Sequence, residues 1–388
     1  MNSETAAQVP RLPAVRLSGG RRRVDMRAIS ALALPLVANS SIQAVLNLTD
    51  TWFVGRLSAE AVAGVGAVYW LTIVAILLLG GAAVAVQTFV AQAFGAGDPQ
   101  RAARAAWNGL WAALLTTPAF LLLAFAGDTL VRPFGLSPEI HSNTIEYWFP
   151  RMLGGPIALA LWALTGFFNG IGRTSVTLAV MAFSALLNAV LNQLFIFEFG
   201  WGVAGAAWAT TTALLATVVV TAALLVSRAL DREFSTRAAL RIDPVLARSL
   251  LLVGLPMGMF PAIDVGALAL FQLMQSGVGT TDGAASQIVL MFTSIAYMPT
   301  IGLALAGTTL VGQSIGAGDR DWAARVGNAI ILLCVGYMGC ISIFLALAGP
   351  WVLPLFINPG DPHSGQVIAL GRTLLWFAAG YQIFDGLN

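Results

Sequence analysis

Long apolar runs broken by short polar loops set the pattern of this chain. Ten stand out, at 29–53, 61–83, 105–127, 147–168, 175–197, 203–227, 249–273, 285–311, 324–348 and 366–387. At a rise of about 1.5 Å per residue, about 20 residues cross a hydrocarbon layer about 30 Å thick. Lipid offers no partner to an unpaired backbone group, so only helices or closed barrels can span it. Runs this long without period-2 alternation predict helices. The expected fold is an all-α polytopic membrane protein.

Composition agrees, with 58% hydrophobic residues, 10% charged residues and a mean hydropathy of +0.81. A soluble core has no use for that much apolar surface. All 20 basic residues are Arg, and they add an orientation. With the N-terminus cytoplasmic, 16 of the 20 fall in inner loops, leaving Arg56, Arg132, Arg151 and Arg372 outside. That bias is the positive-inside signal, so the net charge of +2 reflects topology and gives no support to nucleic-acid binding. The Arg-rich beginning lacks a short apolar core with a small-residue cleavage site, so it reads as a cytoplasmic tail and not a cleaved signal peptide.

An internal repeat organises the rest. QTFVAQAFGAGDPQRAARAAWNG from Gln87 recurs as TTLVGQSIGAGDRDWAARVGNAI from Thr308, an offset of 221 residues that also maps Leu34-Pro35 onto Leu255-Pro256. An offset of 216 then pairs Phe168-Asn169-Gly170 with Phe384-Asp385-Gly386. Copies starting on the same side require an even number of spans per half, which six satisfies. The expected organisation is a cytoplasmic tail over 1–28, a six-helix lobe over 29–227, a cytoplasmic linker over 228–248 and a second lobe over 249–388. The first copy continues for two spans beyond Asn169, so a second lobe two helices short is expected. Gly95, Gly97, Gly316 and Gly318 are expected to end helices, and Pro35, Pro256 and Pro261 to mark kinks.

Three carboxylates lie within apolar runs: Asp50, Asp264 and Asp385. A carboxylate at the bilayer centre costs about 2.5–3.5 kcal/mol on insertion scales, so such groups usually face a cavity and bind an ion, a proton or a substrate. The alternative is hydration near a helix end. Asn188 and Asn192 are i,i+4 on one helix face, and Tyr381 lies one turn before Asp385. Cys334 and Cys340, six apart, face different sides of one helix, and with His141 and His363 in external loops they make no metal site. No phosphate-binding Gly-rich loop, nucleophile elbow or HExxH pattern appears, so the chain is not expected to be an enzyme.

LALPLVANSSIQAVLNLTDTWFVGRLSAEAVAGVGAV, the paired GAGD loops, LNAVLNQLFIFEFGWGVAGAAWAT and YQIFDG together resemble the multidrug and toxic compound extrusion (MATE) transporters. The resemblance implies two six-helix lobes around a central cleft, with helices 11 and 12 missing here. It further implies a multi-pass inner-membrane antiporter, working as a monomer among membrane lipid without a cofactor. Such an antiporter exports amphipathic organic cations against inward Na⁺ or H⁺. It carries a cation or proton site onto Asp50, Asn188, Asn192 and Thr210, with Asn192 standing where part of the family is acidic. In the second lobe it carries a cation or substrate site onto Asp264, Tyr381 and Asp385. Two other readings stay open. A lipid-linked precursor flippase would favour several basic residues in the cleft, and no predicted span has an internal Arg. A membrane protein that does not transport would fit the missing helices.

Overall fold

The computed structural model describes residues 12–18, 21–278, 280–356 and 364–387. Arg11 and His363 lie outside them. A small hairpin of β1 (Val15–Ser18) and β2 (Arg21–Val24) leads into α1 (Met26–Gly55), and α2 (Ala59–Gly95) follows. Next come α3 (Pro99–Leu115), α4 (Thr117–Phe125) and the short α5 (Gly127–Val131). α6 (Pro138–Leu153) and α7 (Gly155–Gly170) are two halves of one bent path. α8 (Thr174–Asn192) runs into a π-helical turn (Gln193–Glu198) and then α9 (Gly202–Leu225). A short α10 (Arg228–Phe234) precedes α11 (Pro244–Val278), α12 (Thr280–Gly316), α13 (Arg320–Val352) and α14 (Ser364–Asp385). Among the described residues nine helices are long and apolar enough to cross a membrane, or ten counting the bent pair.

The two GAGD loops fold alike. Gly97 and Gly318 take φ of +73° and +82°, which glycine adopts without strain, and the Asp that follows caps the next helix. Asp98 accepts the backbone N–H of Arg101 and Asp319 that of Trp322, each at 2.9 Å.

Glycine brings the lobes together in repeat-related pairs. A Cβ added to Gly95 would sit 2.0 Å from the Gln313 carbonyl oxygen, and one added to Gly316 would sit 2.0 Å from that of Gln92. The same offset relates Gly81, against Gly254 of α11, to Gly302, against Leu36 and Val37 of α1. α2 thus packs on α11 and α12, and α1 on α12, with backbones nearly touching. Gly66 on α2 and Gly266 on α11 meet open space, so among the described residues these glycine contacts between the lobes lie in the half of the molecule bearing the GAGD loops.

Buried amides reinforce that seam. Gln87 Nε2 donates to the Leu305 carbonyl at 2.8 Å and to Thr309 Oγ1 at 3.0 Å, and Thr309 Oγ1 donates to the Asn169 carbonyl at 3.0 Å. Gln313 Nε2 reaches the Gly170 carbonyl at 2.8 Å, and Thr177 Oγ1 reaches Asn169 Oδ1 at 2.7 Å.

The termini of the sequence-derived segments shift. The tail drawn over 1–28 contains the hairpin, and α1 begins inside it at Met26. The hairpin is held by Trp322 Nε1 donating to the Pro13 carbonyl at 2.9 Å and by an Arg22–Asp319 ion pair at 3.0 Å. The linker drawn to 248 ends earlier, because Asp243 accepts the backbone N–H groups of Val245 and Leu246 and starts α11. It is docked onto the first lobe, with Trp107 Nε1 donating to the Thr236 carbonyl at 2.8 Å and Arg173 paired with Glu233. The span drawn over 147–168 crosses a 44° bend after Leu153, where Pro150, Gly154, Gly155 and Pro156 interrupt regular helix.

Candidate functional site

Asp50 lies near the C-terminal end of α1, away from the GAGD loops. Its Oδ1 accepts Asn192 Nδ2 at 2.6 Å and its Oδ2 accepts Thr210 Oγ1 at 3.3 Å. Asn192 Nδ2 also reaches Asn188 Oδ1 at 3.1 Å, and Asn188 Nδ2 donates to Thr210 Oγ1 at 3.2 Å. The four residues come from α1, α8 and α9, and the i,i+4 spacing puts both asparagines on the α8 face that meets Asp50. All are buried except Asp50, which is half-buried, and Asn192 is 0% exposed.

One atom is unsatisfied: Asn192 Oδ1 is buried without a hydrogen-bond partner. An amide oxygen left this way inside a packed bundle costs free energy, so its retention needs a reason. With the Asp50 carboxylate and the Asn188 and Thr210 oxygens it completes an oxygen-rich set, the donor chemistry for a hard monovalent cation. The carboxylate alone can hold a proton.

Past Asn192 the helix widens into its π turn, a feature often found at functional sites. Phe195, Phe199 and Trp201 gather there, with ring centroids 5.0 to 5.7 Å apart. Ring faces of this kind attract flat cations.

Sequence reasoning missed a basic group beside this cluster. Arg151 was assigned to the outer loops, yet it sits in α6 three residues before the bend, with its Nε buried and unpartnered. Its charge acts on Asp50, and on Tyr69 and Tyr147. The expectation that no span has an internal Arg is therefore corrected. Reading the bent span by its apolar residues alone put Arg151 at a membrane edge. The helix-breaking residues at 150 and 154–156 were the available signal.

In the second lobe Asp264 on α11 and Asp385 on α14 lie within electrostatic reach of each other and of Tyr297 on α12, which the sequence did not single out. Asp264 is exposed, Asp385 is half-buried, and among the described residues neither accepts a hydrogen bond. Tyr381, 51% exposed, makes no bond to Asp385 among them. A buried amide near these groups on α14 is Gln382, which accepts from Ser342 Oγ and donates to the Thr293 carbonyl at 3.1 Å.

Long apolar helices in repeated lobes, met at one end by glycine and carrying carboxylates between helices at the other, define a multi-pass membrane transporter. The chain belongs to the MatE family, whose model matches residues 35–194 and 256–388. It is similar to the probable multidrug resistance protein NorM of Pseudomonas putida, at 30% identity over 371 residues, covering 94% of this chain and 80% of that one. The NorM of Burkholderia pseudomallei is 31% identical over 363 residues, covering 92% and 77%. Among solved structures, MATE in the straight conformation superposes with a TM-score of 0.80 at 24% identity, over 92% of this chain and 82% of that one. An outward-facing multidrug resistance MATE family transporter of the MOP superfamily gives 0.79 at 25% identity, with the same coverage. The expected all-α fold and the family resemblance stand, and the chain is a transporter and not an enzyme.

Proposed function

We propose that this chain is a multidrug efflux antiporter of the bacterial inner membrane, exporting amphipathic organic cations against inward flow of Na⁺ or H⁺. It works as a monomer with its N-terminus cytoplasmic. The observation that carries this reading is the Asp50 cluster, where one carboxylate and the unpartnered Asn192 oxygen meet neutral oxygens. The names of its relatives support drug export. Asp264, Asp385 and Tyr297 supply a second negative region for a cationic substrate, with Tyr381 beside it. Arg151 is a single basic group in the first lobe, short of the several that would hold a pyrophosphate, so flipping of a lipid-linked precursor is not favoured.

The test is Asp50→Asn in proteoliposomes loaded for ethidium transport. The variant should insert and fold, yet lose transport driven by an imposed Na⁺ or pH gradient. Normal gradient-driven ethidium movement would remove Asp50 from the mechanism.

A further inference from the structure

The hairpin that leads into α1 has two unlike faces. In its antiparallel register Val15 pairs with Val24 and Arg16 with Arg23, and alternation along each strand sends these pairs to opposite faces. The valines, with Leu12 and Ala14, pack on a core of Ile29 from α1 and Trp322, Val326 and Ile330 from α13. Arg22 pairs with Asp319 at 3.0 Å, Trp322 Nε1 donates to the Pro13 carbonyl at 2.9 Å, and the Asp25 N–H donates to the Ala14 carbonyl at 2.8 Å. Two strands alone are marginal in water, so this docking fixes the hairpin in place. Its other face is left with Arg16 and Arg23, both exposed.

That pair is unfavourable by itself. Directly opposed residues of an antiparallel pair hold their Cβ atoms about 4.5–5.5 Å apart, and like charges there repel. Among the described residues neither arginine side chain has an ion pair or a hydrogen bond. The acids beside them in the fold are engaged: Asp25 Oδ1 accepts the N–H groups of Arg27 and Ala28 at the start of α1, and Asp319 takes Arg22 and caps α13. A positive-inside signal needs arginines on one side of the membrane and places no demand on how they are paired. A docked hairpin that sets two of them face to face offers an anion a site between two guanidinium groups.

We propose that the Arg16–Arg23 face of the hairpin binds the headgroup of an anionic phospholipid, in the leaflet on the side of the GAGD loops. Position in the fold selects lipid over other anions. α1 starts at Met26, two residues after β2 ends, and its 30 residues extend about 45 Å, matching a bilayer of about 40–45 Å with its headgroups. The hairpin therefore sits at headgroup level, where basic residues beside a span are drawn to anionic lipid. A phosphate between the two side chains replaces their repulsion with two charge-assisted contacts. The site is separate from the Asp50 cluster and stands whether or not Asp50 couples transport.

The experiment titrates the full chain, in neutral detergent micelles, with short-chain phosphatidylglycerol and follows amide exchange over residues 15–24 by mass spectrometry. Phosphatidylcholine and inorganic phosphate are the parallel arms. Phosphatidylglycerol should slow exchange, and neither of the others should match it. In Arg16→Gln/Arg23→Gln the concentration for half-maximal protection should rise about 30-fold, the scale set by two arginines near an anionic surface. Arg101→Gln/Arg104→Gln, which removes two exposed arginines of α3 beside the first GAGD loop, should leave it unchanged. Without lipid the hairpin variant should exchange no faster than wild type, because a repulsion has been relieved. Faster exchange there shows that the arginines hold the hairpin itself and overturns the inference. Protection that survives the double substitution, or that inorganic phosphate reproduces, overturns it as well, and an RNA oligomer protecting at lower concentration than the lipid overturns the choice of partner. Should the double variant not purify, Arg23→Gln alone should shift the half-maximal concentration about fivefold, and no shift overturns the inference equally.

Discussion

Replacing Gly95 by Ala adds one methyl group at the narrowest point between the lobes. That methyl would lie 2.0 Å from the Gln313 carbonyl oxygen, and even a tight contact of 3.0 Å requires α2 and α12 to separate by about 1 Å there. The obstacle is backbone, so no rotamer change relieves it. Three nearby bonds depend on the same approach: Gln313 to the Gly170 carbonyl, and Gln87 to the Leu305 carbonyl and to Thr309. Interhelical bonds in membranes contribute about 0.6 kcal/mol on average and up to about 1.7, so losing the three costs about 2–5 kcal/mol. The closed seam should then lose ground to open forms by roughly 30-fold or more. A cysteine at Ser314, fully buried on α12 next to Gln313, reports this by its rate of reaction with a small thiol reagent once Cys334 and Cys340 are replaced. The control is Gly66→Ala on the same helix, where the added methyl meets open space. Gly95→Ala should label at least about tenfold faster than that control. Equal labelling rates and equal thermal midpoints would refute the argument that glycine contact holds the seam.

Orientation is tested with two further cysteines in the same background. Ser235→Cys, exposed in the linker, should react with an impermeant reagent only after permeabilisation, while Ser137→Cys, exposed before α6, should react from outside. Labelling of position 235 from outside would reverse the arginine-based topology. Gln382→Leu removes a buried amide that links α14 to α12 and α13, leaving Ser342 and the Thr293 carbonyl without it. Its expected cost is about 1–3 kcal/mol, read as a lower thermal midpoint of the purified protein, and an unchanged midpoint would show that the link holds nothing.

Much of this fold was legible in the chain because the signals were local. Apolar length gives the spans, and the GAGD recurrence gives the lobes. Glycine with positive φ followed by a capping Asp needs only four residues to specify its turn. What escaped were features whose meaning depends on residues far away in sequence. Gln87 and Asn169 stand inside quoted repeat segments, yet their partners Leu305 and Thr309 lie on another lobe. Arg151 looked like a loop residue until the bend after Leu153 put it inside the lobe. Tyr297 carries no distinguishing neighbour in sequence, and only the packing of α11, α12 and α14 brings it near two carboxylates. The hairpin over 15–24 was hidden by its arginines, since Arg16 and Arg23 pair across the strands where an alternating apolar face would have signalled them.

In the proposed mechanism, α1 and α8 are the elements through which an ion at Asp50 would bear on the seam. α1 carries Asp50 near one end. Near the other its Leu32 carbonyl accepts Thr174 Oγ1 at 3.1 Å and its Val37 backbone meets Gly302 of α12. α8 carries Asn188 and Asn192 near one end, and Thr174 and Thr177 near the other, where Thr177 holds the Asn169 amide that in turn touches Gln87. From residue 32 to residue 50 a helix extends about 27 Å. The same two rods thus join the carboxylate cluster to the lobe contact: α1 meets α12 directly, and α8 bonds α1 at Leu32 and Asn169 of α7. Pro35 lies between the two ends of α1 and close to the seam, and its missing N–H leaves the Ala31 carbonyl without its helical partner. The proposed coupling would require the rods to stay rigid between their ends and yield near Pro35, beside the lobe contact and away from Asp50.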